Sequence, residues 1–203
     1  MPIQKGEPWG EPAPFPDDGI VVRSDAEARA VITAARRANE PLPALGLLGG
    51  DLCRTLGGRG DEAQLRRPDG MALPVDLGEV LLDGRLHWFV AHLQARKGWW
   101  VGRVVVAMNA QYLGEWDVAP RGHPNDGKLD VFEGDLGLLE RWQVRSRLVT
   151  GSHLPHPEIE QRHAPAVQLE LARPMPIRLD GEIVGEAKEL SLRLQPDALR
   201  CWV

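Results

Sequence analysis

Aromatic variety is scarce in this chain of 203 residues: three phenylalanines and one tyrosine stand against seven tryptophans. Cysteine is scarcer still. Cys53 and Cys201 lie far apart without a Cys-x-x-Cys spacing, which excludes a disulfide framework and a zinc ribbon and leaves two reduced core thiols. No apolar run approaches the ~18 residues that cross a bilayer. The opening MPIQKGEPWG lacks the apolar core of a signal peptide, so the expected location is cytoplasmic. Positive charge is in deficit as well: a net charge of -5 argues against nucleic acid as a partner, because phosphate binding needs a basic face. His153, His156 and His163 form a loose set, and His87 and His92 fall in a strand region. None has the spacing of a zinc site, so they read as ordinary turn or surface histidines.

What is present is globular. Hydrophobic residues make up 43% and charged residues 26%, ordinary values for a packed domain. Residues 1–19 carry five prolines (Pro2, Pro8, Pro12, Pro14, Pro16) and predict an extended lead-in poor in regular structure, with Trp9 as its anchor. Residues 20–70 read as a small α/β unit. Gly19 to Arg23 is a short strand, and Ser24-Asp25-Ala26-Glu27 has the form of a capping box, with the Glu27 carboxylate reaching back. Ala28, Val31, Ala35 and Ala38 recur at helical spacing until Pro41 stops the run, and Ala44 to Leu48 is a second strand.

Residues 71–203 predict a β-sandwich domain. Strand patterns recur at Leu73–Leu82, Arg85–Ala95, Trp99–Met108, Lys128–Phe132, Ala166–Leu171, Ile177–Leu179, Glu189–Leu194 and Leu199–Val203, broken by Gly, Asp-Gly and Pro. A helix capped by Asp135 carries Leu136, Leu139, Trp142, Arg145 and Leu148. Arg141, Arg145 and Arg147 on it form either a solvated face or a phosphate contact. The fold class is therefore α+β, mainly β: a two-layer antiparallel β-sandwich with a small N-terminal strand–helix–strand unit.

The most informative stretch is Val104 to Val131. A β-branched run ends at an Asn-centred turn, and after a polar connection Asp126-Gly127 turns the chain into a second strand. Asn109, Tyr112, Gly114, Ala119-Pro120, Asp126-Gly127, Leu129 and Asp130-Val131 follow in the order and spacing of a segment in the diacylglycerol kinase family of lipid kinases, which includes YegS-like members and sphingosine kinases. Leu179-Asp180-Gly181-Glu182 matches that family's D-G-E turn, and Leu199-Arg200-Cys201-Trp202-Val203 follows at a family-like distance. Roughly residues 75 to 203 resemble the family's C-terminal domain. Gly49-Gly50-Asp51-Leu52-Cys53-Arg54-Thr55-Leu56-Gly57 looks like a worn form of a further motif. The family's G-G-D-G-T nucleotide loop does not occur in this sequence.

The resemblance implies three candidate sites. Asp180 and Glu182 would act on the acceptor hydroxyl in an active enzyme, since a carboxylate can serve as general base there. Gly49, Gly50, Asp51 and Asn109 would face nucleotide or phosphate through a Gly-rich turn before a helix. Asn125, the Lys128 carbonyl and Asp130 would hold a structural Mg²⁺. Each has a plainer counterpart: a β-turn, a strand-to-helix connection, a hairpin turn bonding its own backbone. The expectation is a family relative without a competent nucleotide half, binding a lipid or small hydroxylated ligand or regulating a partner. Two alternatives stand beside it. One is an ATP-dependent lipid kinase whose nucleotide site is shortened or completed by a partner chain or a second copy. The other is a β-sandwich interaction module.

Overall fold

The computed structural model describes residues 9–203; Pro2 and Pro8 of the lead-in lie outside them. In chain order the elements are β1 (Glu11–Pro12), β2 (Ile20–Val22), α1 (Asp25–Ala38), β3 (Leu45–Leu47), α2 (Asp51–Thr55), α3 (Glu62–Leu65), β4 (Met71–Leu82), β5 (Arg85–Phe89), β6 (His92–Ala95), β7 (Val104–Met108), β8 (Tyr112–Leu113) and β9 (Trp116–Asp117). There follow β10 (Leu129–Gly134), α4 (Leu138–Leu148), β11 (Ile159–Ala164), β12 (Ala166–Leu179) and β13 (Glu182–Trp202).

One large sheet runs in the order β1-β4-β13-β12-β6-β7-β10-β11, with β5 added to β4. Val80 and Leu82 of β4 share a buried cluster with Leu129 and Val131 of β10, far away in that order. Only a sheet curled onto itself brings those strands together, and the result is a mainly β, two-layer α+β fold. The N-terminal unit joins the same sheet by parallel pairing. Leu45 of β3 lies opposite Cys201 of β13, and Ile20 of β2 opposite Leu45. Ile32 of α1 and Leu52 of α2 pack into one cluster with Val75, Leu77, Val90 and Leu199.

Local chemistry explains most boundaries. Ser24 accepts the Glu27 N–H at 3.2 Å, and the Glu27 carboxylate accepts the Arg23 N–H at 2.7 Å, which fixes the start of α1. The buried face of α1 is Ala28, Ile32 and Ala35, shifted by one position from the expected Val31. In the lead-in, the Trp9 indole donates to the Pro74 carbonyl at 3.1 Å, and β1 pairs with β4. The expected strand from Trp99 begins only at Val104, because Gly102 takes a positive φ of 68° that ordinary strand residues avoid. The patterns at 166–171 and 177–179 form one strand, β12, whose register shifts between Glu170 and Met175 around Pro174. A bulge is where a proline is tolerated in a sheet. The patterns at 189–194 and 199–203 likewise fuse into β13, with a register shift between Gln195 and Leu199.

Helix α4 departs most from expectation. Gly137 occupies its N-cap position, while Asp135 engages Arg141 at 3.2 Å. The residues turned inward are Arg141 and Val144, and Leu139 and Trp142 face outward.

Candidate functional site

Asp180 and Gly181 form the two-residue turn between β12 and β13, both with positive φ, as tight hairpins with Leu179 opposite Glu182 require. The turn directs the Asp180 carboxylate at the break between β5 and β6. There it accepts three successive backbone N–H groups: Val90 at 3.0 Å, Ala91 at 2.8 Å and His92 at 3.1 Å. Arg29 of α1 brings a guanidinium nitrogen to 3.8 Å from Asp180 and pairs with Glu182.

His92 extends the network. Its Nε2 lies 3.0 Å from the Asp51 carboxylate, which also accepts the Gly114 N–H at 2.9 Å. Asp25, from the first turn of α1, accepts the N–H groups of Asp51 at 2.6 Å and Leu52 at 3.1 Å. Burial, reinforced by the nearby charge of Asp180, pushes the Asp25 carboxyl up to about 7. Burial also raises Asp180, against the pull of His92 and the three amides. For His92, burial works against the charged ring, but the hydrogen bond to Asp51 and the charges of Asp180, Asp51 and Asp25 outweigh it and raise the pKa. Asp25, Asp51 and His92 each place one ligand-type atom within 4.8 Å of the others. Those atoms are engaged by the backbone and by one another.

A second network centres on Asp76 of β4, which is fully buried. Its carboxylate accepts the N–H groups of Gly127 at 2.7 Å and Asp197 at 2.9 Å. Asn125 donates its side-chain amide to Asp197 at 2.8 Å and to Asp76 at 3.4 Å. Asn109 donates to the carbonyls of Asp76 and Val90, both at 2.8 Å. Burial raises Asp76 above the usual carboxylate range despite the two amides.

Between α4 and the sheet lies an apolar cleft with a cavity of about 110 Å³. Trp99, Trp100 and Trp116 line it together with Val106, Phe132 and Leu148; Arg145, His153 and Glu133 supply polar groups. Trp99 and Trp116 meet edge to face at 4.8 Å, and the Arg145 guanidinium sits 4.8 Å from the Trp116 ring. Arg141 holds the cleft's shape from within, donating to the carbonyls of Leu136 at 2.6 Å, Trp99 at 3.1 Å and Gly102.

The YegS C-terminal NAD kinase beta sandwich-like domain matches residues 82–203, well over half of the chain. The chain belongs to this family. Among curated proteins no sequence matches it. A crystal structure of a diacylglycerol kinase from Bacillus anthracis str. Sterne superposes with a TM-score of 0.62 at 16% identity, covering 91% of this chain and 75% of that one. A candidate diacylglycerol kinase from the same strain superposes with a TM-score of 0.69 at 16% identity, covering 91% and 76%. At that identity the likeness is one of fold.

The family's motif residues fall into separate settings. Asp180 is wholly enclosed and committed to three amides, whereas Glu182 is exposed beside Arg29. Of the Gly49-Gly50-Asp51 turn expected to face phosphate, the Asp51 N–H is already taken by the Asp25 carboxylate, as is the N–H of the next residue, Leu52. Asn109 ties β4 to the β5–β6 break. Of Asn125, Lys128 and Asp130, expected to hold magnesium, the first and last also bond within the protein. Asn125 turns its amide to Asp76 and Asp197, and Asp130 is bonded to Gln161 at 3.3 Å and His163 at 3.2 Å on β11. Asp25, Arg29, Asp76 and His92 were not singled out as site residues. The available signals were Asp25 and Arg29 four apart on one helix face, and His92 alternating with Gln94 in an otherwise apolar strand.

Proposed function

We propose that this member of the YegS C-terminal family binds an amphipathic, lipid-like ligand in the cleft beneath α4 and does not itself transfer phosphate. The observation that carries the reading is the cleft: tryptophan and aliphatic walls beside Arg145, His153 and Glu133, the composition expected of a site for an apolar chain bearing a polar head. Its volume is of the size that holds one ring or a few methylenes. Against catalysis stand the two motif positions already satisfied internally. A base must reach a hydroxyl proton in its substrate, and the Asp180 carboxylate is fully buried against three amides. A phosphate needs free N–H donors, and Asp25 occupies those at Asp51 and Leu52. No magnesium is assigned to Asn125, Lys128 and Asp130.

The test is thermal shift with short-chain monoacylglycerols and lysophospholipids below their micellar concentrations, with native mass spectrometry to identify the adduct. Saturable stabilisation that disappears in Val144→Trp, which fills the cleft from α4, is the expected result. No shift and no adduct with any of these lipids would sink the reading. The His92–Asp51–Asp25 network favours one rival, a lipid kinase completed by a partner, because it gathers titratable groups at the Gly49-Gly50-Asp51 turn. Phosphoryl transfer abolished by His92→Gln and Glu182→Gln would establish that rival.

A further inference from the structure

We infer that the outer face of α4 and the tip of the β6–β7 connection form a docking surface for an anionic lipid bilayer. This goes beyond ligand binding in the cleft, because it holds whether or not the cleft is filled.

The first ground is apolar exposure in an unusual place. Leu139 and Trp142 are 81% and 66% exposed, and Leu138 and Val149 are exposed beside them. Positions 138, 142 and 149 fall on one helical stripe, with 139 at its margin. Val144, on the opposite side of the helix, is buried, and so is Arg141 on the flank away from Leu139. Trp100 and Val101, at the tip of the β6–β7 connection, are also exposed. They belong to the same patch, because Arg145 of α4 lies 5.4 Å from the Trp100 ring. Large apolar side chains gathered this way mark an interaction surface.

The second ground is charge, and it selects the partner. The protein as a whole is acidic, yet residues 96–103 and 138–149 together carry Arg96, Lys97, Arg103, Arg141, Arg145 and Arg147 against Glu140 alone. Arg103 and Arg141 are paired, with Glu133 and Asp135. Arg96 and Arg145 stack on tryptophans, and Lys97 and Arg147 are exposed. An apolar stripe with Trp and Leu, flanked by Arg and Lys in an acidic protein, complements anionic headgroups over an acyl boundary. Tryptophan suits that boundary because its ring is apolar and its N–H polar.

The experiment is co-sedimentation of the full chain with vesicles of phosphatidylcholine containing 30% phosphatidylglycerol, compared with phosphatidylcholine alone. Binding to the anionic vesicles, weaker by about tenfold or more in Leu139→Ser/Trp142→Ser and by several-fold in Arg145→Gln/Arg147→Gln, is the expected outcome. All four positions are exposed, and unchanged melting temperatures show that the variants fold. Val144→Trp should bind vesicles like the parent, which separates docking from ligand binding. Absence of binding to anionic vesicles overturns the proposal. So does equal binding by Leu139→Ser/Trp142→Ser, or a stable dimer in sedimentation that this variant dissolves without changing vesicle binding.

Discussion

The carboxylate of Asp25 accepts the amide N–H of Asp51 at 2.6 Å, so the first turn of α1 caps the short helix that follows the glycine pair. The site most suggestive of a phosphate in the sequence already holds a carboxyl group of the protein's own. Calorimetric titration with ATP and Mg²⁺ should therefore give no saturable heat below about 1 mM, a binding free energy weaker than roughly -4 kcal/mol. Saturable binding tighter than that would revive the kinase reading.

The same network sets a pH dependence. Asp25 is raised to about 7 in the folded chain from an ordinary value of 3.8, and His92 and Asp180 are also raised. A group whose pKa is raised by folding stabilises the native state while protonated, and that contribution fades as pH climbs through the folded value. Stability should fall between pH 4 and pH 8, as the folded chain gives up the protons that burial holds on Asp25. Denaturant melts of the parent and Asp25→Asn across that range check it: the slope should flatten in the variant.

Asn109→Ala should cost about 2–4 kcal/mol. It strips the Asp76 and Val90 carbonyls of a buried donor. Asn109→Asp should be no better, since it trades the donor for a buried charge. Urea unfolding of either variant at parental stability would contradict this.

At Gly78 a Cβ would lie 2.4 Å from the ring of Phe89 on the neighbouring strand. Phe89 is fully buried, so Gly78→Ala should destabilise by about 2 kcal/mol or more. The double change Gly78→Ala/Phe89→Leu should recover part of that loss, measured as a shift in the urea midpoint.

Arg141→Leu should loosen the cleft. The side chain bonds the carbonyls of Leu136, Trp99 and Gly102, so its loss frees residues 99–103 from α4. Hydrogen exchange at those amides should rise by about tenfold or more.

Period-2 alternation and the Asp-Gly turns made most of the sandwich strands legible, because a half-buried strand must alternate. The capping box at Ser24 and Glu27 was legible for the same local reason. Helix α4 was not. Its leucines and Trp142 imply an apolar inner face, but the carbonyls of a glycine-rich loop attract Arg141 inward and rotate the helix. The polar cluster was equally hidden. Nothing near Asp25 or His92 in sequence names Asp51 or Asp180 as a neighbour; that adjacency is a product of the curled sheet. Gly49-Gly50 is legible as a turn before a helix, but the carboxylate that accepts the Asp51 N–H after it lies 26 residues away.

Strand β13 bonds to β12, β4 and β3, and the Trp202 indole donates to the Ala13 carbonyl, 189 residues away. Such pairings are slow to find, because long loops must close before any contact is gained. Until β13 arrives, the long edges of β4 and β12 stay open, and both carry apolar side chains at alternate positions. Those edges are templates for other copies of the chain, so recovery of native protein from denaturant should depend on concentration, and a shielded, dilute start should favour the native sheet over its aggregated rivals.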